Sequence, residues 1–351
     1  MSDSRHTLES VKEYYGKVLS SSKDLQTSAC CTAEAMPARL RPILKELHDE
    51  VKDRFYGCGS PLPPALEGKT VLDLGCGSGR DCYILSKLVG PQGKVIGVDM
   101  TSEQLEVANR HIDYHTKRFG YSKPNVTFKQ GYIEDLEGAG IANNSVDVVV
   151  SNCVLNLSPD KKRTFSEIFR VLKVGGELYF SDVFANKRIP KPLTQDRVLL
   201  GECLGGALYT EDFRRILQQV GVQDFRAIAT FPISFNNPEI EAKIGMIDFY
   251  SITYRAFKLE GLEDRCEDYG QVAYYLGTIP ECKHAFTLDD HHHFKTGMPM
   301  LICSNTAAMI TQTRFQSHFR VEGNTSTHYG LFDCGPTGGM NKNETVGGAC
   351  C

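Results

Sequence analysis

The stretch VLDLGCGSGRD, residues 71–81, constrains this chain more than any other. An apolar run suited to a strand leads straight into glycines at 75, 77 and 79, and the amphipathic RDCYILSKLV follows. Glycines in that position let the backbone turn sharply and approach a ligand closely. From residue 69 the pattern repeats. TVLDL (70–74), KVIGVDM (94–100), NVTFKQGY (125–132), SVDVVVSN (145–152) and GELYFSDV (176–183) read as strands. Between them RDCYILSKLV, SEQLEVANRHIDYHTKRF and PDKKRTFSEIFRVLK space their apolar residues as helices do. Thr101–Ser102 is the expected cap of the second helix, and Gly175–Gly176 the expected stop of the third. A further helix near 211–220 and the strand-like DFRAIATFPI follow. Such alternation predicts an α/β fold whose mostly parallel sheet carries helices on both faces and binds ligands at the strands' carboxyl ends.

The acids around the glycine turn narrow the ligand. Asp99 ends the second strand, twenty residues beyond Gly79, where a carboxylate can accept from both hydroxyls of a ribose. A dinucleotide fingerprint would need its third glycine at position 80, which is Arg80. The run is instead D-x-G-x-G-x-G with Asp73 in front. A carboxylate there repels a pyrophosphate and attracts the ammonium of a methionine moiety. The loop resembles the first motif of class I Rossmann-like, S-adenosylmethionine-dependent methyltransferases. The resemblance implies that Asp73 holds the cofactor's amino-acid end and Asp99 its ribose. In GYIEDL (131–136), Ile133 would pack on the adenine and Glu134 would lie near its amino group. The full set of expected cofactor contacts is Asp73, Gly75, Cys76, Gly77, Asp99, Met100, Ile133, Glu134 and Asn152.

Length and charge set the outer limits. With 351 residues, 41% of them hydrophobic, the chain can bury a full core and is expected to form more than one domain. The expected division is an N-terminal helical extension (1–68), the Rossmann-like domain (69–232), a smaller C-terminal α+β region (233–330) and a flexible cysteine-containing tail (331–351). Lys and Arg number 39 against 43 acidic residues, and no basic stripe is interleaved with aromatics, so no nucleic-acid partner is expected. The N-terminus lacks an apolar signal-peptide core, and no run is long and apolar enough for a membrane helix. These features predict a soluble, cytoplasmic monomer whose thiols stay reduced. The triple histidine in DDHHHF (289–294) reads as a polar loop, since three adjacent side chains cannot all face one ion.

Thirteen cysteines are many, and C-x-x-C occurs nowhere, which argues against zinc-ribbon and thioredoxin readings. A free cysteine is by default a buried packing residue. Three stand apart. Cys153 in SNCVLNL ends the fourth strand, where a parallel sheet keeps its chemistry. Cys203 in GECLGGALY precedes Gly205–Gly206, read as a flexible pair, and Cys58 in FYGCGS lies between two glycines on a bendable loop. Three convergent thiols suit a soft three-coordinate ion. Trivalent arsenic held by three thiolates keeps a lone pair, the nucleophile that a sulfonium methyl requires.

Together FYGCG, DLGCGSGRDCY, VDMT, QGYIE, SNCVLNL, GGELYFSDV and GECLGGALY resemble the arsenite methyltransferase family over roughly residues 10–230. The resemblance implies arsenic-binding thiols at Cys58, Cys153 and Cys203 and a redox cysteine at Cys30, with Cys31 as its adjacent alternative. It also implies arsenite or its thiol conjugates as substrate, S-adenosylmethionine as methyl donor, and thioredoxin or glutathione as reductant. Cys76, Cys82, Cys266, Cys282 and Cys303 are expected to pack; Cys334, Cys350 and Cys351 read as tail thiols that need no role, with arsenic scavenging on a mobile tail as the alternative. Two other classes compete: a methyltransferase for an organic acceptor, and a non-enzymatic arsenic-binding protein. The intact Asp73, glycine run and Asp99 speak against the second.

Overall fold

In a computed structural model, residues 36–334 are described, apart from 56, 58, 59, 202 and 236. The expectations for Cys30, Cys31, Cys58, Cys350 and Cys351 therefore lie outside the described residues. Two short helices, α1 (Arg41–Glu46) and α2 (Asp49–Asp53), precede the sheet. The alternation read from sequence follows as β1 (Thr70–Leu74), α3 (Arg80–Val89), β2 (Lys94–Asp99), α4 (Ser102–Arg110), α5 (Ile112–Arg118), β3 (Val126–Gln130), β4 (Val146–Asn152), α6 (Lys161–Val171) and β5 (Leu172–Ala185). Strands β1 to β5 pair in parallel in the order 3-2-1-4-5, so the chain reverses its direction of growth between β1 and β4. Crevices for ligands form at such a reversal, beyond the carboxyl ends of the two strands.

Alternate residues of each strand face opposite layers. Val71, Val148 and Val150 pack with Tyr83 and Leu85 of α3, whereas Leu72, Leu74 and Val149 pack with Phe165 and Ile168 of α6. Full burial of each such side chain contributes about 1.5–3 kcal/mol. A helix on either face is therefore the stable solution for so apolar a sheet.

Three local expectations are adjusted. The long helix expected over 102–119 is two helices, broken at His111, whose Nε2 lies 2.7 Å from Glu50 and whose ring stacks on His48. Thr101 does stand at the helix N-terminus, but its side chain makes no capping bond; its N–H donates to Asp99 instead. Gly175 and Gly176 lie within β5, next to the register shift between Val146 and Val148 of β4. There they bulge a strand, while α6 already ends at Val171.

After β5 come α7 (Lys191–Thr194), α8 (Arg197–Gly201), β6 (Leu208–Tyr209), α9 (Thr210–Gln219), β7 (Phe225–Pro232), α10 (Pro238–Ile244) and β8 (Phe249–Phe257). β8 inserts antiparallel between β5 and β7. The main sheet thus draws on both sides of the 232/233 boundary expected from sequence. The remaining chain builds small antiparallel sheets: β10 (Gln271–Tyr275) between β13 (Pro299–Ile302) and β14 (Phe319–Glu322), the pair β11 (Ala285–Thr287) and β12 (His293–Lys295), and the pair β9 (Glu267–Asp268) and β15 (Gly330–Leu331). With α11 (Ser304–Thr311) they enclose Tyr275, Phe286, Phe294, Phe315 and Phe319.

One carboxylate joins these parts. Glu177, fully buried on β5, accepts from Arg255 Nε of β8 at 2.6 Å and pairs with Arg314 of the C-terminal region at 2.5 Å. Arg255 donates onward to the carbonyl of Leu288, and Arg314 to that of Pro64 in the N-terminal segment. Removing one member of a buried ion pair leaves the other charge uncompensated, at about 3–5 kcal/mol. Glu177→Gln is therefore expected to lower the unfolding free energy by about that amount in urea titration. A loss of only about 1 kcal/mol, the scale of an exposed pair, would contradict this role.

Candidate functional site

The glycine turn leaves β1 with φ of 66° at Gly75 and 51° at Gly77, in the left-handed region that glycine enters without penalty. A Cβ at Gly75 would lie 2.3 Å from a methyl of Val154, whereas one at Gly77 would meet nothing within 4 Å. The N–H groups of Gly75 and Cys76 donate to the carbonyl of Val98. Asp99 completes the cradle: one oxygen accepts from Gly77 N–H at 2.9 Å, the other from Thr101 N–H at 2.8 Å. Above the turn opens a cleft. All nine expected cofactor residues line it, namely Asp73, Gly75, Cys76, Gly77, Asp99, Met100, Ile133, Glu134 and Asn152.

The cleft is rich in negative charge. Asp73 is buried, and burial first, then the nearby Asp81, pushes its carboxyl well above the usual carboxylate range. Burial also raises Asp99, against the hydrogen bonds that it accepts. A cationic group entering this cleft would therefore be stabilised. Glu134 Oε1 is buried and has no hydrogen-bond partner among the described residues, an acceptor waiting for a donor. An ammonium, ribose hydroxyls and an exocyclic amine would meet these needs in turn, so the residues present fit S-adenosylmethionine.

Sequence reasoning missed several lining residues. Asp81 takes Arg80 Nε at 2.9 Å and Asn152 Nδ2 at 3.0 Å, fixing the residue that ends β4. Arg80 in turn stacks its guanidinium 3.0 Å above the Phe55 ring, which together with Arg54 closes one side of the cleft. The acid directly after the glycine run was visible in sequence; Phe55, arriving from another segment, was not.

The thiols divide into two groups. Cys76 and Cys82 are buried beneath the turn, where a Cβ on Gly97 would meet both sulfurs at 2.8 Å. Burial raises the Cys76 thiol to about 11 and Cys82 well above its ordinary value, and Cys82 donates to Asp73 at 3.2 Å. Both stay protonated, which suits packing and not metal ligation. Cys153 and Cys203 differ. Each holds a left-handed backbone, φ 55° and 63°, rare outside glycine and found where surrounding structure enforces it. The N–H of Cys153 extends the β4–β5 ladder to Ser181 O before the chain turns its side into the cleft. Cys203 Sγ donates to the carbonyl of Cys153 at 3.3 Å, so two cysteines far apart in sequence are neighbours. Cys153 is disulfide-bonded, whereas Cys203 is not.

Gly205 and Gly206 do not act as the flexible pair read from sequence. A Cβ on Gly206 would lie 2.1 Å from the carbonyl oxygen of Asn156, so the residue allows close backbone approach. Asn156 is itself gripped by Asp182, through its side-chain amide at 2.7 Å and its N–H at 3.1 Å. The Cys203 loop is thus pressed against a fixed surface. Gly57, adjacent to Cys58, lines the cleft, and a Cβ there would touch the Asn152 side chain at 2.6 Å. Among the described residues no helix is long and apolar enough to cross a membrane.

Comparison with known proteins bears on the fold and the family. Residues 65–221 match a family described as a methyltransferase domain, and residues 268–338 match the arsenite methyltransferase C-terminal domain. An arsenite methyltransferase from Aquipseudomonas alcaligenes is 54% identical over 98% of this chain and 99% of its own length. One from Mus musculus is 45% identical over 88% of this chain and 82% of its own. A crystal structure of an arsenic(III) S-adenosylmethionine methyltransferase from Chlamydomonas reinhardtii shares 51% identity and superposes with a TM-score of 0.82, covering 85% of this chain and all of that one.

The raised Asp73 carboxyl gives a signed expectation. Burial shifts Asp73 toward its acid form, whereas an ammonium beside it would favour the carboxylate, so binding should release protons over the range in which Asp73 titrates. Affinity for S-adenosylmethionine should accordingly rise with pH through the titration of Asp73. Calorimetry in buffers of different ionisation enthalpy should show this proton release in the parent protein and lose it in Asp73→Asn.

Proposed function

The chain belongs to the arsenite methyltransferase family, and from that premise we propose that Cys58, Cys153 and Cys203 hold trivalent arsenic as three thiolates at the mouth of the cofactor cleft. The family identifies an S-adenosylmethionine-dependent methyltransferase acting on arsenic. The observation that best supports the three-thiol reading is the contact of the Cys203 thiol with the carbonyl of Cys153, which itself lines the cleft, both residues holding left-handed backbone. Gly57 against Asn152 supports the same for the segment carrying Cys58. Each thiol would displace a hydroxide or a small thiol from arsenite or its conjugate.

S-adenosylmethionine, when bound, supplies an electrophilic methyl group on a sulfonium sulfur. Asp73 would receive its ammonium, Asp99 its ribose hydroxyls and Glu134 its adenine amine. The remaining work of the protein is positioning. Three sulfurs fix the arsenic, direct its lone pair and donate electron density, so no general base is needed. Methylation leaves pentavalent arsenic bound to three sulfurs. Cys30 thiolate would then attack the sulfur of Cys58; a Cys30–Cys58 disulfide forms, and the electron pair of the broken arsenic–sulfur bond returns arsenic to the trivalent state. The methylated ion stays on Cys153 and Cys203, and thioredoxin or glutathione reduces the disulfide. That Cys153 occurs here in a disulfide is in keeping with redox-active thiols at this place.

Serine is hard and stays protonated near neutral pH, so it cannot replace a thiolate ligand. Cys153→Ser and Cys203→Ser should abolish methylation of every trivalent species, measured by arsenic speciation. Cys58→Ser and Cys30→Ser should fail on arsenite yet methylate monomethylated trivalent arsenic once, since that step needs two thiols. Full activity of Cys153→Ser or Cys203→Ser on arsenite would sink the three-thiol site.

Gly206→Ala offers an orthogonal check. The clash with Asn156 should displace Cys203 and cut turnover, while affinity for S-adenosylmethionine changes little. Unaltered turnover would mean that the loop position does not matter.

A further inference from the structure

The packing role expected for Cys266 and Cys303, and the reading of Cys334 as a separate tail thiol, miss their arrangement. The three sulfurs lie within 4.8 Å of one another in the C-terminal region, outside the methyltransferase cleft. Cys303 is a free thiol; Cys266 and Cys334 are disulfide-bonded. We propose that, once reduced, Cys266, Cys303 and Cys334 form a second three-thiol site that takes a thiophilic, three-coordinate ion, namely trivalent arsenic.

Geometry carries the case. Metal–sulfur bonds of about 2.3 Å place three sulfurs around a common ion at separations of roughly 3.4–4 Å, and these three already lie within 4.8 Å of one another. Among the described residues no fourth histidine, cysteine or carboxylate completes a tetrahedron, which disfavours a structural zinc site. The surroundings suit an electron-rich sulfur. Cys303 stands at the N-cap of α11 and accepts the N–H of Thr306 at 3.4 Å, while Arg226 directs a guanidinium to the same sulfur at 3.8 Å. Arg226 is itself held by Asp224 and Asp289, so its position does not depend on the thiol.

Access is through Cys334. Cys266 and Cys303 are buried, whereas Cys334 is half-buried three residues beyond the short strand β15. β15 meets the rest of the protein through its pairing with β9 and the bond from Phe332 N–H to Cys266 O at 2.8 Å. An ion bound at the trio would fasten this edge to α11.

The chemistry balances without any change at arsenic. A dithiol reductant delivers two electrons and two protons to each disulfide, becoming a cyclic disulfide itself. Arsenous acid then forms three arsenic–sulfur bonds and releases three waters, remaining trivalent. No methyl transfer is involved, so the proposal stands or falls apart from the catalytic thiols.

The full chain bearing Cys58→Ser, Cys153→Ser and Cys203→Ser, reduced with dithiothreitol and desalted without oxygen, should retain one arsenic per chain after incubation with arsenite. X-ray absorption at the arsenic edge should report three sulfur neighbours. Adding Cys303→Ser should lower both the retained arsenic and the sulfur count, with the circular dichroism spectrum unchanged. Should that combination not fold, Cys303→Ser and Cys266→Ser alone should each bind one arsenic fewer than the reduced parent while still methylating arsenite. Unchanged stoichiometry in the Cys303 variants would overturn the site, as would zinc found on these thiols in protein purified under reducing conditions.

Discussion

Everything built around the cleft rests on Glu177. A carboxylate with no access to water would be untenable alone; between two guanidiniums it becomes the point through which four segments are joined. Arg255 belongs to the strand that makes the sheet larger than the alternating half alone, and Arg314 to the region beyond it. Arg314 also reaches the carbonyl of Pro64, shortly before β1 and shortly after the segment that carries Gly57. Charge in the core thus specifies which parts meet, something that apolar contacts of lower directionality do poorly.

The cleft shows the opposite use of charge. Asp73, Asp81 and Asp99 gather in the cleft, and of the three Asp81 pairs directly with Arg80. Burial raises the Asp73 and Asp99 carboxyls together, so a cation entering beside them is stabilised as it favours their charged form. A site prepared in this way favours a positively charged methyl donor and releases it more readily once its sulfur has become neutral.

Much of this was legible in the chain because it is local. The glycine turn with its two acids and the five parallel strands follow from periodicity and spacing within short windows, and the residues that the family resemblance implied for the cofactor line one cleft. What could not be read is what distant segments do to each other. No local pattern says that His111 will be drawn to Glu50 and split a helix, that β8 will slip between β5 and β7, or that Gly206 must yield to Asn156. The trio of Cys266, Cys303 and Cys334 is the clearest case, for its members carry no spacing signature and meet only because β9, α11 and β15 do.

The left-handed backbone at Cys153 and Cys203 has a consequence for how such a chain can vary. Each conformation costs about 1–2 kcal/mol for a residue bearing a Cβ, and glycine would adopt it freely. Selection for folding alone would therefore drift both positions toward glycine or asparagine, while the arsenic-binding role proposed for them would hold them at cysteine. The two pressures oppose each other at these residues. A mutational landscape scored separately for abundance and for activity should part most sharply there, and a lineage released from arsenic would lose these two cysteines before it lost the fold.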